Sequence, residues 1–131
     1  MLNFISDISH YDIVLNLATQ AKRSLWIGTA DIKDLYVLQG SVEKPFLGIL
    51  AELIGRGVEI RLIHAKEPGP NFREDFDRYP RLAKMLERVM CPRVHFKIIV
   101  IDQKICYVGS ANLTGAGMGM KSPHRRNFEA G

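Results

Sequence analysis

The stretch from His95 to Asn112 carries two short apolar runs on either side of a polar turn. The first run covers residues 98–101 and the second covers residues 105–108. Uncharged runs of this length between turn residues are typical of buried β-strands. The stretch therefore predicts a β-hairpin, with polar side chains just outside its two open ends.

Four of those polar side chains bring complementary chemistry to one place. His95 and Lys97 are two residues apart and so share a strand face, and Ser110 and Asn112 are again two apart after the second strand. A histidine acts as nucleophile, base or acid near physiological pH, while Lys97 and Asn112 are suited to hold phosphoryl oxygens. This set fits attack on phosphorus better than attack on a carbonyl, and it predicts no metal and no cofactor.

The spacing of these residues resembles the HKD motif of the phospholipase D superfamily. His95-x-Lys97 is followed by four residues and Asp102, and then by six residues and Gly109-Ser110-x-Asn112. Every fixed position and every gap is present, on a predicted strand–turn–strand. The resemblance implies a phosphodiesterase that forms a phosphohistidine.

The resemblance also implies a role for each residue of the motif. His95 is expected to be nucleophile or general acid, with Lys97 and Asn112 holding the phosphate and Ser110 assisting. Glu129 is expected to bond the far ring nitrogen of His95 and fix its tautomer. By strand parity Asp102 faces away from Lys97, so we expect it to have a supporting role at the turn, as Gly109 has after the second strand.

The chain contains one such motif, whereas the family mechanism uses two histidines on opposite sides of the phosphorus. The resemblance therefore implies a symmetric homodimer with one shared site. His95 would attack from one subunit, and the same residue of the other subunit would protonate the leaving oxygen.

Nucleic acid is the expected substrate. The net charge of +4 favours a polyanionic partner, and Arg125 and Arg126 follow the motif closely enough to bind phosphates. His64 ends a predicted strand, where open α/β sheets place ligands, so it is a further candidate for substrate binding. A lipid phosphodiesterase and a catalytically silent phosphate- or nucleic-acid-binding module of a larger protein remain alternatives.

The chain begins without the basic and apolar regions of a signal peptide, and no apolar run approaches the length of a membrane span. We expect a cytoplasmic protein without stable membrane association. Cys91 and Cys106, the two cysteines, are expected to be reduced thiols.

The predicted fold is α/β, a mixed β-sheet flanked by helices on both faces, in a single domain over residues 1–131. Asn127-Phe128-Glu129 resembles the start of a further strand in the family, so either the chain is trimmed from a longer protein or its sheet is completed in another way. Helices are predicted at Ser9–Arg23, at residues 42–56 and, in two pieces, at residues 72–90; a helical turn is predicted within residues 31–40, and strands at Ser24–Thr29 and residues 58–63.

Overall fold

The computed structural model describes residues 1–33 and 35–131. Within these residues strands and helices alternate along most of the chain. A π-helical turn (His10–Leu15) leads into α1 (Asn16–Thr19); then follow β1 (Ser24–Thr29), β2 (Tyr36–Gln39), β3 (Val42–Pro45), α2 (Phe46–Gly55), β4 (Glu59–His64), α3 (Pro70–Arg78), α4 (Pro80–Met85), β5 (Glu87–Met90), β6 (Ile98–Ile101) and β7 (Ile105–Val108).

The main sheet is mixed. In the described part of the chain its five strands have the order β5-β4-β1-β6-β7. Strands β1, β4 and β5 run parallel, and β6 pairs antiparallel with both β1 and β7. The amino end of β6 therefore lies at the same edge as the carboxyl ends of the other four strands. We refer to this edge as the carboxyl edge.

The two faces of the sheet differ. One face carries Leu25, Ile60 and Ile99, each at most 2% exposed, and packs against the helices; α1 contacts β6 and α2 contacts β4. Burial of these aliphatic side chains is the main driving force for the fold. A mixed sheet flanked by helices confirms the predicted fold class. The described helices form a layer on this face, whereas the prediction placed helices on both faces. No described helix is long and apolar enough to cross a membrane.

The opposite face forms an open groove of about 830 Å³, lined by residues that include Trp26 and Val100. Cys106 projects from this face and is exposed, because alternate residues of β7 point to opposite sides of the sheet. The second apolar run of the hairpin is thus buried on one side only, at Tyr107.

The turn between β6 and β7 ties the hairpin to the start of β1. Asp102 and Gln103 both have positive φ, 53° and 55°, as the central residues of a type I′ turn do. The Asp102 carboxylate accepts hydrogen bonds from the backbone amides of Lys22, Arg23 and Ser24 at 2.6–3.1 Å. Burial raises the pKa of this carboxyl, but the three amide bonds and Lys104 outweigh that effect and leave the pKa below its ordinary value.

Three of the predicted elements have different boundaries. The first helix ends at Thr19 rather than Arg23, because the amides of residues 22–24 bond to the Asp102 carboxylate. Residues 42–45 form a strand of a separate hairpin with residues 36–39, so the helical turn predicted within residues 31–40 is wrong for residues 36–39. Lys44 is extended rather than helical because it precedes a proline. The helical spacing continues to Met90, but residues 87–90 pair as an edge strand with β4.

The two ends of the described chain meet beside β7. Ile5 and Gly131 exchange two backbone hydrogen bonds of 2.7 and 2.9 Å, and Ser6 bridges to Ala130 in antiparallel fashion. The carbonyl of Ala130 also accepts from the Ser110 amide at 2.9 Å. The segment that contains Glu129 is therefore extended and held against the carboxyl edge.

Candidate active site at the carboxyl edge

His95 and Lys97 lie just before β6, at the carboxyl edge. The His95 side chain is exposed and that of Lys97 is half-buried. Lys97 Nζ donates to the carbonyl of His95 at 2.9 Å and lies 3.5 Å from His95 Nδ1. The Lys97 carbonyl accepts a hydrogen bond from the Gly109 amide at 3.2 Å, which joins the two sides of the hairpin next to the site. The ammonium and the imidazole are thus adjacent, as strand parity predicts.

Asn112 is held by one end of its carboxamide. Its Oδ1 accepts from the Asp31 amide at 3.2 Å. The Thr29 hydroxyl lies 3.3 Å from the same oxygen, but its one proton has a shorter acceptor in the Asp31 carbonyl at 2.7 Å. Thr29 is 1% exposed, and its hydroxyl oxygen also accepts from the Leu113 amide at 3.1 Å. Because the Asp31 amide can only donate, it fixes Oδ1 as the end of the carboxamide that faces it, and Nδ2 is left as a donor for a ligand.

Ser110 and Glu129 form a second pair. The Ser110 hydroxyl donates to Glu129 Oε2 and accepts from the Ala130 amide at 3.0 Å. Glu129 Oε1 accepts from Asn127 Nδ2 at 3.1 Å, and the Glu129 amide donates to Asp7 Oδ1 at 3.0 Å. Glu129 therefore binds Ser110 and Asn127 in this structure, whereas the predicted partner was the ring of His95.

Gly109 makes room for the terminal segment. A Cβ at this position would clash with the Tyr107 hydroxyl, the Ala130 carbonyl and the Cα of Gly131. Close backbone approach therefore requires glycine here. Asp102 lies at the opposite edge of the sheet, bonded to Ser24 through both backbone and side chain, so it cannot contact a substrate held by His95.

The prediction that His64 binds substrate is wrong, because the side chain is not accessible. Its ring is fully buried, with Nδ1 donating to the Lys66 carbonyl at 2.9 Å and Nε2 accepting from Arg88 Nη1 at 3.1 Å. Burial lowers the pKa of His64, and the nearby Arg88 charge lowers it further, although the bond to the Lys66 carbonyl opposes them. His64 is a neutral core residue that fixes the end of β4.

Arg125 and Arg126 follow a run of turns after Asn112. Both amides donate to the Ser122 carbonyl, at 2.8 and 3.1 Å. Arg125 is exposed and Arg126 is half-buried. The next residue, Asn127, bonds to Glu129, so the two guanidinium groups belong to the segment that returns to the site.

Sequence reasoning missed the support that β1 gives to the site. Thr29 and Asp31 hold Asn112, yet neither residue type by itself indicates this role. Their position at the carboxyl end of a parallel strand was the available signal, because ligand sites form there in open α/β sheets. Among residues 1–33 and 35–131, no cluster of three or more His, Cys, Asp or Glu side chains is arranged to hold a metal ion.

The sequence matches a known protein family. Residues 14–131 match the model described as cardiolipin synthase, PLD-like domain. The chain belongs to the phospholipase D superfamily. Its superfamily relative Phospholipase D Z from Dictyostelium discoideum is 28% identical over 127 residues, which make up 86% of this chain and 29% of that protein. The chain thus spans less than a third of the length of this relative.

Several solved structures share the fold of this chain. Nuc from Salmonella typhimurium, a phospholipase D family member, superimposes with a TM-score of 0.67 at 18% identity, over 98% of this chain and 79% of Nuc. NucT from Helicobacter pylori gives 0.58 at 17% identity, over 98% and 83%. TrmBL2, an archaeal chromatin protein with a novel mode of DNA binding, gives 0.61 at 12% identity, over 98% and 43%. At these identities the likeness concerns the fold alone.

Proposed function

We propose that this chain is a nuclease domain that hydrolyses phosphodiester bonds in nucleic acid without a metal ion, through a phosphohistidine on His95. The observation that carries the proposal is the grouping of His95, Lys97 and Asn112 at one edge of the sheet. These residues supply a nucleophile, a charged phosphate donor and a neutral phosphate donor.

The first step is attack of His95 Nε2 on phosphorus. A P–N bond forms as the bond from phosphorus to the leaving oxygen breaks, and that oxygen takes a proton from an acid on the opposite side. Lys97 and the Nδ2 group of Asn112 donate to the non-bridging oxygens, where negative charge must be stabilised in the transition state. The product is a phosphohistidine and a free hydroxyl.

In the second step, water attacks the phosphorus and the P–N bond breaks. The group that gave its proton in the first step now accepts one from the water, so the same residue serves as acid and then as base. His95 is released, and the acid is restored to its protonated form.

The nucleophilic form of His95 needs its proton on Nδ1 and its lone pair on Nε2. In the structure Lys97 Nζ lies 3.5 Å from Nδ1, where its positive charge opposes that tautomer. If the Lys97 ammonium moved away to bind a phosphate oxygen, His95 Nδ1 would be free to donate a hydrogen bond to a carboxylate. Glu129 is the proposed acceptor, which requires it to exchange its bond with Ser110 for one with His95.

The acid on the opposite side is proposed to be the partner's His95. The chain has one motif, and two copies related by a two-fold axis would place two such rings across one phosphate. The proposed enzyme is therefore a homodimer with one shared site.

Nucleic acid is proposed over lipid because of the positive net charge and because Arg125 and Arg126 lie in the segment that returns to the site. One structural neighbour, TrmBL2, is described as binding DNA. An inert binding module is the second candidate, since Glu129 is bonded to Ser110 rather than to His95.

Cleavage of plasmid DNA in excess EDTA, beside hydrolysis of phosphatidylcholine vesicles, tests the proposal. We expect DNA cleavage that persists in EDTA and disappears in His95→Ala and in Lys97→Ala. Activity abolished by chelation and restored by magnesium would contradict the mechanism. Hydrolysis of the lipid alone would contradict the substrate, and DNA binding without cleavage would favour the inert module.

A further inference from the structure

Two lysines lie beside Asn112 and converge on one buried carboxylate. Lys33 Nζ and Lys66 Nζ are each 3.4 Å from Asp31 Oδ2. The Asp31 side chain is 11% exposed, whereas the lysine side chains are 60% and 67% exposed. We refer to Lys33 and Lys66 as the lysine pair.

Backbone contacts tie the lysine pair to the loop that orients Asn112. The Asp31 amide donates to Asn112 Oδ1 at 3.2 Å, and the Lys33 amide donates to the Leu113 carbonyl at 3.1 Å. The Lys66 amide donates to the Ala30 carbonyl at 3.1 Å. Both lysines are thereby tied to the loop after β1, which also orients Asn112.

Stability alone does not explain this arrangement. Ion pairs of exposed lysines contribute about 0–1 kcal/mol, and holding two ammonium groups at one oxygen brings like charges together. Each ammonium has three N–H donors, of which one is used by Asp31. The trio carries a net charge of +1 with its donors facing solvent, so an anion placed between the lysines would relieve their repulsion.

We propose that the lysine pair binds the phosphate next to the scissile one, so that the site selects a polynucleotide over a substrate with a single phosphodiester. This inference rests on the proposed function, because it takes the phosphate held by His95 and Lys97 as the reacting one. A nucleic-acid strand presents a neighbouring phosphate on every nucleotide, whereas phosphatidylcholine has none.

The test compares substrates that have a single phosphodiester with substrates that have several. We would measure kcat/KM with bis(4-nitrophenyl) phosphate and with oligothymidylates of two, three and six nucleotides. The variants are Lys33→Gln/Lys66→Gln and, as a matched control that removes the same charge from the opposite edge, Lys22→Gln/Lys104→Gln. Far-UV circular dichroism and thermal unfolding would establish that both variants are folded.

For the wild type and the control we expect kcat/KM to rise roughly tenfold when a second phosphate is added, as for one good charged contact. In Lys33→Gln/Lys66→Gln that rise should fall below about twofold. The single-phosphate substrates should change little, because they have no second phosphate to lose.

Other results would overturn the inference. An unchanged rise in the lysine variant, or an equal loss on bis(4-nitrophenyl) phosphate, would show that the pair does not bind a neighbouring phosphate. Activity on cardiolipin vesicles that depends on the pair, without such dependence for oligothymidylates, would assign the second phosphate to a lipid. If the wild type hydrolyses no substrate at all, the proposed function fails rather than the subsite alone.

Discussion

Replacing Asp102 by Asn should destabilise the fold without touching the site. The carboxylate accepts from three backbone amides at 2.6–3.1 Å and joins the hairpin turn to the start of β1. An asparagine has one acceptor oxygen and turns its NH₂ group towards these amides. From the usual strength of charge-assisted bonds and of side-chain caps, we expect a loss of about 1–2 kcal/mol in the free energy of unfolding.

The loss of stability in Asp102→Asn should depend on pH. The pKa of Asp102 is lowered in the folded state from an ordinary value of 3.8, so the carboxylate contributes its stability above pH 3.8. That contribution is lost as the pH falls through the lower, folded-state pKa. The difference between wild type and Asp102→Asn should therefore be constant at neutral pH and shrink in acid.

Urea unfolding followed by circular dichroism, between pH 7 and the most acidic pH at which the wild type is folded, measures this difference. Asp77→Asn makes the same change at an exposed position of α3 and should alter stability by less than about 0.5 kcal/mol. If Asp102→Asn matches Asp77→Asn at pH 7, or if its deficit stays the same throughout the acid range, the reasoning is refuted.

Three further predictions concern the turn, the support of Asn112 and the arginines. Gln103→Gly should raise the free energy of unfolding by about 0.5–1 kcal/mol in urea, because glycine adopts positive φ without strain; a decrease would contradict it. Thr29→Val should lower kcat/KM roughly tenfold, because it removes the hydroxyl that bonds to the Asp31 carbonyl and the Leu113 amide on either side of Asn112, whereas Thr29→Ser keeps the hydroxyl and the rate; an equal fall in both would favour a packing effect. Replacing Arg125 and Arg126 by Ala should flatten the dependence of DNA affinity on salt, by roughly 0.7–0.9 in log–log slope for each phosphate that the arginines neutralise; an unchanged slope would exclude binding of these arginines to the nucleic-acid backbone.

The strands of the main sheet were largely predictable because their signal is local. β1, β4 and the hairpin have apolar runs of strand length between turn residues, and the fold class follows from them. β5 was missed because residues 82–89 also fit helical spacing, and pairing with β4 decided between the two. The hairpin of residues 36–39 and 42–45 was missed because it lacks the apolar runs of β6 and β7; only Val37 of its two strands is buried.

The site was predictable where its residues are neighbours in the chain. Two-residue spacing puts Lys97 beside His95, and the structure shows that contact. The bond from the Asp31 amide to Asn112 joins residues 81 apart, and no local pattern encodes it. His64 was misassigned because a histidine at the end of a strand can either bind a ligand or fix a loop, and the sequence is the same in both cases. The hydrogen-bond partners of its two ring nitrogens show that His64 fixes a loop.

A single measurement tests the shared site most directly. Wild type and His95→Ala would be co-refolded at several ratios, and DNA cleavage in EDTA plotted against the wild-type fraction. If each dimer has one site built from both His95 rings, a mixed dimer lacks either nucleophile or acid, so activity should follow the square of the wild-type fraction. A linear fall, or full activity from a species that sediments as a monomer, would contradict the account.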